Sequence, residues 1–290
     1  MKPLEECRLG DWVAQAGDES SLEFRQAVHT VLAAIAGEEQ LQANMVLKGG
    51  ILLAVRYQSH RFTRDIDFST PLTIGAGLEP EQVVNVIDAS LAYEVEKLEY
   101  DLDCRVQSWE VQPRHLTDAS YPSLKLRIGH AYKGTAKHQR LLAGRSPTTI
   151  AIDYSLNEAL PNVDNVSMGD DGELQVYSFT DLVAEKFRAL LQQASRNRTR
   201  RQDIFDLHLL LEQCEPLDEV EQGAILDSLI VKSRARGLDP TQDAMDDEEL
   251  RARAERDYYT LTSEVEGALP PFEEAFDIAR HFYRALPWKN

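Results

Sequence analysis

Residues 47–69 read LKGGILLAVRYQSHRFTRDIDFS, and the expected fold depends on this stretch. Two glycines, Gly49 and Gly50, open an apolar run, and fourteen residues separate them from an aspartate pair, Asp65 and Asp67. Charged and apolar side chains alternate around the pair, which predicts a β-strand with both carboxylates on one face. The apolar residues 51–57 predict a helix that begins just after the glycines.

The aspartate pair is a candidate metal site. Two adjacent carboxylates repel each other, and a hard divalent cation such as Mg²⁺ relieves that repulsion. Asp153 ends the apolar segment TTIAIDYS (148–155) and is a third candidate ligand. Three carboxylates on adjacent strands suit a two-metal site for in-line phosphoryl transfer. However, Asp-x-Asp is also common at strand edges and turns, and sugar-nucleotide transferases carry it too.

The Gly49-Gly50 turn, which follows Lys48, has a functional and a structural explanation. Glycine lets backbone N–H groups approach a ligand, and a helix N-terminus attracts anions, so the turn could bind phosphates. A turn that merely connects two secondary-structure elements could have the same sequence. The spacing matches neither G-x-x-x-x-G-K-[ST] nor G-x-G-x-x-G, which excludes a P-loop and a Rossmann motif.

Composition narrows the class of protein. The chain has 290 residues, of which 28% are charged and 43% hydrophobic, as expected for a globular protein. A net charge of −18 argues against a surface that coats nucleic acid non-specifically. The three cysteines lie far apart in the sequence and predict neither a disulfide framework nor a zinc site. Without an N-terminal signal sequence or an uninterrupted apolar span, a cytoplasmic protein is expected.

The order of predicted elements indicates an α+β fold. Helices are expected over 20–43, 51–57 and 80–98, and strands over 65–69, 104–112, 123–132 and 148–155. After a turn-rich break at 167–174, the chain reads as helices over 179–194, 204–212, 219–233, 248–262 and 272–286. We therefore expect a mixed α/β domain over residues 1–170 and an all-helical domain over 171–290.

A second informative segment is YSFTDLVAEKFRALLQQASRNRTRRQDIFDLHLL, residues 177–210. Ser178 is a predicted N-cap, and a capping-box-like turn with Asp181 is expected. Lys186 lies two turns further along and could bind a triphosphate, although it could instead be a surface lysine or pair with Asp203 or Asp206. These two aspartates share a helix face, where Asp203 could be an N-cap and Asp206 could hold Lys186 or an arginine.

These segments together resemble the nucleotidyltransferase toxins of the AbiEii/AbiGii type, from abortive-infection and type IV toxin–antitoxin systems. The resemblance rests on the glycine turn, on an Arg-x-Ser/Thr-x-Asp-Ile/Leu-Asp-Phe segment and on a later helical signature. The matching residues are Gly49, Gly50, Arg61, Thr63, Asp65, Ile66, Asp67, Phe68, Ser178, Asp181, Leu182, Glu185, Lys186, Asp203, Phe205, Asp206 and Leu207. The family usually has Lys or Arg just before the first aspartate of the later signature, where this chain has Gln202; Arg200 or Arg201 could substitute.

The resemblance implies a polymerase-β-type nucleotidyltransferase fold with a C-terminal helical domain that completes the active-site cleft. It implies catalysis by Asp65, Asp67, Asp153 and Lys186, with the three aspartates holding two Mg²⁺ ions. The expected nucleotide-binding residues are Lys48, Gly49, Gly50, Thr63, Arg200, Asp203 and Asp206.

Positive charge is concentrated in two segments. Residues 119–152 contain no Asp or Glu, and RNRTRR (196–201) is rich in arginine. We expect both segments to line the cleft and to guide RNA, through Lys125, Arg127, Lys133, Lys137, Arg140, Arg196 and Arg198. Reversing the charge of Lys133 and Lys137 should then weaken RNA binding. Alternatively, these charges face solvent or pair with the acidic region 239–257.

The resemblance further implies transfer of a nucleoside monophosphate from an NTP to RNA, most readily the 3′ end of tRNA, by a toxin that a cognate antitoxin neutralises. Two alternatives stay open at this point. The acceptor could be a protein hydroxyl, or the chain could be a nucleotide- or antitoxin-binding module without catalysis.

Overall fold

A computed structural model describes residues 4–113 and 121–288. The strands are β1 (Val46–Lys48), β2 (Asp65–Ser69), β3 (Thr73–Ile74), β4 (Gly77–Leu78), β5 (Leu102–Gln112), β6 (Ser123–Tyr132), β7 (Thr149–Ser155), β8 (Val163–Ser167) and β9 (Glu173–Tyr177). The α-helices are α1 (Leu9–Ala14), α2 (Glu19–Ala36), α3 (Glu39–Gln42), α4 (Gly49–Arg56), α5 (Pro80–Lys97), α6 (Ala136–Leu142), α7 (Phe179–Gln192), α8 (Arg201–Gln213), α9 (Glu219–Arg234), α10 (Glu248–Glu255) and α11 (Phe272–Ala285).

Local signals explain where several helices begin. The Asp18 carboxylate accepts a hydrogen bond from the Ser21 N–H at 2.9 Å, which caps α2. Pro80 is the first residue of α5, where its missing N–H costs nothing. A reciprocal capping box between Asp218 and Glu221 starts α9.

Seven strands form one mixed sheet in the order β5-β6-β7-β2-β1-β9-β8. The central pair β2 and β7 is parallel, as is the pair β1 and β9, whereas β1/β2, β5/β6, β6/β7 and β8/β9 are antiparallel. The prediction of a mixed sheet combined with helices is thus confirmed. Strand β2, with its two aspartates, lies near the middle of the sheet.

The two faces of the sheet differ in chemistry. One face carries buried apolar side chains, among them Ile66 and Phe68 on β2 and Ile152 and Tyr154 on β7, and helices α2 and α5 pack on the sheet. Because side chains alternate along a strand, the intervening residues Asp65, Asp67 and Asp153 project from the opposite face. That face is polar and open to a pocket.

The largest error of the sequence-based interpretation concerns β8 and β9, which were not predicted. Strand β9 pairs with β1 inside the sheet, and β8 pairs with β9. A domain boundary at residues 170/171 would therefore separate two paired strands. The turn-rich break is real, but it is the connection of a hairpin, with a short 3₁₀ turn at Gly169–Asp171.

The remaining differences are smaller. The helix expected over 20–43 ends at Ala36, and a separate short helix, α3, follows. Helix α4 includes the two glycines in its first turn instead of starting after them. The helix expected over 248–262 is α10 followed by a 3₁₀ segment, Tyr258–Ser263. Helices α1 and α6 were not expected. Within the described ranges, no helix combines the length and the apolarity that crossing a membrane requires.

Candidate active site

Four charged side chains form a row across the polar face of the sheet. The register pairs Lys48 on β1 with Asp67 on β2, Asp67 with Asp153 on β7, and Asp153 with Lys125 on β6. Register partners on neighbouring strands present their side chains on the same face. The row therefore consists of two central carboxylates with a lysine on either side, and Asp65 lies one row away on the same face.

The three aspartates Asp65, Asp67 and Asp153 lie in different environments. Asp67 is half-buried, and its pKa is raised because burial disfavours the charged carboxylate; Lys48 lowers the pKa, whereas Asp153 and Asp65 raise it further. Asp65 is exposed. The Asp153 carboxylate lies 3.0 Å from the Lys125 ammonium, which offsets its charge. Lys48 donates a hydrogen bond to the Ser155 hydroxyl at 3.1 Å.

Oxygen donors on adjacent strands are the chemistry that a hard divalent cation prefers, and Asp65, Asp67 and Asp153 fit that requirement. Their donor atoms are nevertheless not clustered tightly. In the described part of the chain, one group of three potential ligands has all its donor atoms within 4.8 Å, and it is His208, Glu212 and Glu274, away from this pocket. Like charge keeps the three aspartate carboxylates further apart.

Gly49 and Gly50 pack directly against the aspartate strand and the segment before it. Gly49 has φ +72°, and a Cβ atom there would lie 2.3 Å from Asp67 Oδ2. A Cβ atom at Gly50 would lie 2.9 Å from Thr63 Oγ1. Both glycines are therefore required by close packing, and this contact also sets the N-terminus of α4 beside the aspartates. The Lys48 side chain makes no capping hydrogen bond to α4.

Lys186 on α7 belongs to a buried network of alternating charges. Its ammonium lies 2.9 Å from Asp203 Oδ1 and 2.6 Å from Asp206 Oδ2 on α8. Arg61 donates two hydrogen bonds to the Asp206 carboxylate, at 2.9 and 3.0 Å. Arg200 lies 3.9 Å from Asp203. Asp206, which has no exposed surface, thus holds both Lys186 and an arginine in position.

Burial alone would make the charged forms in this network unfavourable, but the partners outweigh it. Burial lowers the pKa of Lys186, whereas Asp203 and Asp206 raise it above its ordinary value. Burial raises the pKa of Asp206, whereas Lys186 and Arg61 bring it below its ordinary value. Both side chains are therefore charged near neutral pH.

The start of α7 follows the prediction in one respect and departs from it in another. The Ser178 hydroxyl accepts a hydrogen bond from the Asp181 N–H at 3.1 Å, which confirms the N-cap. The Asp181 carboxylate does not return to the cap; it accepts a hydrogen bond from the Ser228 hydroxyl at 2.7 Å and lies 3.1 Å from the Lys232 ammonium. Asp203 is not an N-cap either, because α8 begins two residues earlier.

One pocket, with a volume of about 520 Å³, brings most of these residues together. Of the residues singled out from the sequence, it is lined by Lys48, Gly49, Gly50, Thr63, Asp65, Asp67, Asp153, Lys186, Arg196, Arg198, Arg200, Asp203 and Asp206. Asp65, Asp67 and Asp153 come from the sheet, whereas Lys186 comes from α7, Asp203 and Asp206 from α8, and the three arginines from the loop between these helices. Its volume lies in the range of small-molecule sites, about 300–1,000 Å³.

The expectation that residues 119–152 line the cleft is wrong for most of the basic side chains named there. Lys133 pairs with Glu96 at 2.8 Å and Lys137 with Glu23 at 3.4 Å, so their charges are offset by α5 and α2, not by residues 239–257. Arg127 and Arg140 do not line the pocket. Lys125 is the member of the set that reaches the aspartates, because β6 lies next to β7.

Several residues of the pocket were missed or given no role from the sequence. Arg61 was part of the quoted motif, and its position two residues before Thr63 is the signal that could have identified it. Glu185 and Arg188 form an ion pair on α7 beside Lys186, and Ser155 follows Asp153 by two residues on β7. Tyr121, Glu158 and Arg236 also line the pocket, and no sequence signal marked them.

Comparison with known proteins gives a family match over most of the chain. The family described as nucleotidyl transferase AbiEii toxin, type IV TA system, matches residues 30–278. A search of curated proteins gave no match.

Two solved structures from Helicobacter pylori resemble the chain, one assigned as a candidate nucleotidyltransferase and the other described as JHP933. Each is 15% identical with a TM-score of 0.50, and the alignments cover 93% of this chain in both cases. They cover 95% of the first structure and 92% of the second. At this identity the likeness shows a shared fold.

Proposed function

Since the chain belongs to the AbiEii family of nucleotidyltransferase toxins from type IV toxin–antitoxin systems, it is a nucleotidyltransferase, and we propose that its acceptor is RNA. In this proposal it transfers a nucleoside monophosphate from an NTP to the 3′ end of a tRNA and releases pyrophosphate. Membership of a toxin–antitoxin family also implies a cognate antitoxin as partner.

One observation carries the proposal: Asp65, Asp67, Asp153 and Lys48 of the sheet line one pocket together with Lys186, Arg196, Arg198 and Arg200. The carboxylates of Asp65, Asp67 and Asp153 supply ligands for a divalent cation. The lysine and arginine side chains suit the phosphates of a nucleotide. In phosphoryl transfer the protein contributes mainly position and electrostatic stabilisation. The arrangement supplies both without a covalent nucleophile.

Asp65, Asp67 and Asp153 would hold two Mg²⁺ ions, and a bound cation would supply electrostatic stabilisation of the charge that develops during transfer. The raised pKa of Asp67 agrees with this role, because a bound cation would stabilise the charged form of a carboxylate that burial and two neighbouring aspartates disfavour. Asp153, at the edge of the group nearest Lys125, accepts the proton of the attacking hydroxyl.

Cationic side chains and backbone N–H groups of the pocket are available to contact the triphosphate. The N-terminus of α4 at Gly49 and Gly50 offers backbone N–H groups, and Lys48 precedes it. The Lys186 ammonium has three N–H donors, of which Asp203 and Asp206 accept two, so one is left for a phosphate oxygen. Thr63 and Arg200 complete this side of the pocket.

We further propose a polymerase-β-type domain followed by a helical domain that completes the cleft. Because β9 belongs to the sheet, the division between them belongs at Tyr177/Ser178 and not at residue 170. The helical domain then supplies Lys186, Asp203 and Asp206, which supports the idea that neither part has a complete site alone.

A labelling experiment tests the function. The protein and an Asp67→Asn variant are incubated with each labelled NTP, Mg²⁺, total RNA and a cell lysate. Label in RNA that depends on Asp67 supports the proposal, and we expect the variant to lose roughly 100-fold or more of the transfer rate. Label in protein favours nucleotidylation of a protein hydroxyl, and nucleotide binding without any transfer favours a non-catalytic module. Full transfer by Asp67→Asn would contradict the assigned site.

A further inference from the structure

The pocket continues into a second cavity of about 590 Å³, which we name the acceptor groove. The two cavities share Tyr121, Asp153, Ser155, Glu158, Arg198 and Arg236 in their walls. Lys48, the glycine pair and Lys186 line the first cavity alone, whereas Ser123 and Lys125 line the groove alone. Asp153 therefore lies where a ligand in one cavity would meet a ligand in the other.

We propose that the acceptor groove binds the 3′ end of a single-stranded RNA acceptor and that its terminal base stacks on the paired side chains of Tyr121 and Arg236. This inference rests on the proposed nucleotidyl transfer and adds to it the place and the residues of acceptor recognition. The groove binds the base by its flat face, so the contact does not select a sequence.

The direction of transfer places the acceptor on this side. In an in-line displacement the attacking hydroxyl and the leaving pyrophosphate lie on opposite sides of the reacting phosphorus. Lys48 and Gly49 lie on the β1 side of Asp153, and Lys186 lines the first cavity but not the acceptor groove. The hydroxyl must then come from the β6 side, which is where the acceptor groove opens.

The Tyr121 ring and the Arg236 guanidinium already pack against each other, and together they offer a stacking surface for a base. The Arg236 guanidinium lies 3.5 Å from the centre of the Tyr121 ring, and Glu158 fixes it through an ion pair at 2.5 Å. The Tyr121 hydroxyl donates a hydrogen bond to the Ala235 carbonyl, so the ring is held as well. A base that stacks on a rigid aromatic or guanidinium plane loses little of its binding energy to ordering the protein.

The charges of the groove suit a phosphate near the stacking surface. Asp153 is paired with Lys125 and Glu158 with Arg236, and the third acid of the groove, Glu110, accepts a hydrogen bond from the Gln112 amide at 2.7 Å. Arg198 is exposed, lines both cavities and has no ion pair within residues 4–113 and 121–288. Its guanidinium is therefore available to the phosphate that precedes the terminal nucleotide.

Tyr121 and Arg236 also have a purely structural explanation, since they connect the start of β6 to the end of α9. Binding measurements separate the two explanations. A fluorescent single-stranded RNA of about eight nucleotides is titrated against the wild type and the variants, and NTP binding is measured in parallel by calorimetry. We expect Tyr121→Leu to weaken RNA binding roughly tenfold and to lower NTP affinity much less than RNA affinity, and Tyr121→Phe to restore most of the RNA binding. Tyr93→Leu, at an exposed tyrosine on α5, is the matched control and should bind RNA as the wild type does.

A second measurement needs no variant. An RNA of the same length with a 3′-terminal 4-thiouridine is irradiated in complex with the wild type, and the cross-linked peptide should contain Tyr121 or Arg236. A cross-link elsewhere, an unchanged RNA affinity in Tyr121→Leu, or no RNA binding by the wild type would overturn the inference.

These readouts require no turnover, so the two proposals fail separately. RNA binding at Tyr121 without nucleotide transfer would contradict the proposed function and leave the acceptor groove standing. Transfer to RNA that is unaffected by substitution of Tyr121 would contradict the acceptor groove and leave the proposed function standing.

Discussion

Among the glycines of the described residues, Gly49 is constrained in two ways. It combines a left-handed φ of +72° with a backbone that approaches Asp67 so closely that a methyl group would lie 2.3 Å from Oδ2. Both constraints exclude any residue with a side chain, but they differ in kind. A side chain at this positive φ would strain the backbone locally, whereas the steric contact would displace the Asp67 carboxylate on β2.

Comparing two alanine substitutions separates these effects. Gly144 has nearly the same φ, +69°, and a Cβ atom there would meet no atom within 4 Å. Gly144→Ala should cost about 1 kcal/mol in backbone strain, and Gly49→Ala should cost more, because the steric contact with Asp67 is added to the same strain; denaturant unfolding measures both. Because Gly49→Ala also displaces Asp67, it alone should reduce the transfer rate, by roughly 100-fold. Equal transfer rates in the two variants would contradict the coupling between Gly49 and Asp67.

Asp206 is a buried carboxylate between two cations, Lys186 and Arg61, and these two neighbours determine its role. Its lowered pKa means that the folded protein releases this proton more readily than the unfolded chain does. A lowered pKa gives stability that is fully present above the ordinary value of 3.8 and is lost as the pH falls through the lower, folded-state value. The stabilisation therefore disappears only in acid.

The variant Asp206→Asn should consequently be much less stable than the wild type at pH 7, by about 3–5 kcal/mol, since it leaves Arg61 and Lys186 without their shared partner. The difference should begin to narrow below about pH 4, where Asp206 of the unfolded chain takes up a proton, and should vanish once the pH falls below the lowered pKa of the folded state. Urea unfolding between pH 2 and 7 measures it. Asp239→Asn, which removes an exposed pair with Arg234, is the control and should change little.

At the scale of elements, the two basic segments have different surroundings. Lys133, just after β6, and Lys137 on α6 lie against acidic side chains of α5 and α2. The loop between α7 and α8 instead presents Arg196 and Arg198 to the pocket, exposed and without an ion pair in the described parts of the chain. Of the two segments, the α7–α8 loop is therefore the one placed to meet a polyanion.

Charge reversal tests this difference. Arg196→Glu combined with Arg198→Glu should weaken RNA binding and reduce the slope of log affinity against log salt by about 0.7 for each phosphate that the variant no longer neutralises. The matched reversal, Lys133→Glu combined with Lys137→Glu, should leave both the affinity and the slope nearly unchanged, because these side chains line neither the pocket nor the acceptor groove. RNA titrations at several salt concentrations measure both quantities. A larger effect from the lysine pair would show that residues 119–152 guide the RNA after all.

At the scale of the whole molecule, Asp181 connects the helical part to the sheet part. This fully buried carboxylate on α7 accepts hydrogen bonds from Ser228 on α9 and from Asn162, just before β8, at 3.2 Å. Lys232 on α9 completes the group, 3.1 Å from Asp181 and 4.4 Å from the centre of the Tyr177 ring at the end of β9. The contact fixes α7, and with it Lys186, relative to the sheet.

We expect Asp181→Ala to destabilise the whole chain by about 3–5 kcal/mol, because Lys232 would be left buried without its partner. Adding Lys232→Met should recover a large part of that loss, since it removes the unpaired charge while keeping the apolar stem. Denaturant unfolding of the two single variants and the double variant closes the cycle. Additive losses in the double variant would show that the two residues are not coupled.

Much of the architecture was predictable at the level of single elements. Period-2 and helical patterns located β2, β5, β6, β7 and all the main C-terminal helices, since each buries one face along its own length. Strands β8 and β9 were missed because they are short and their partners include a strand far away in the sequence. The pattern of such strands depends on which neighbour they pair with.

The sequence by itself determined which chemistry the protein carries: an aspartate pair on one strand face, glycines before a helix, and a lysine with two aspartates on later helices. These features depend on spacing, and local periodicity is enough to predict them. The tertiary structure alone decided which charges meet. Sheet order set Lys125, Asp153, Asp67 and Lys48 in one row, and helix packing buried Lys186 between Asp203 and Asp206. Ion pairs form between side chains that the fold brings within a few ångströms, and the distance along the chain does not specify them.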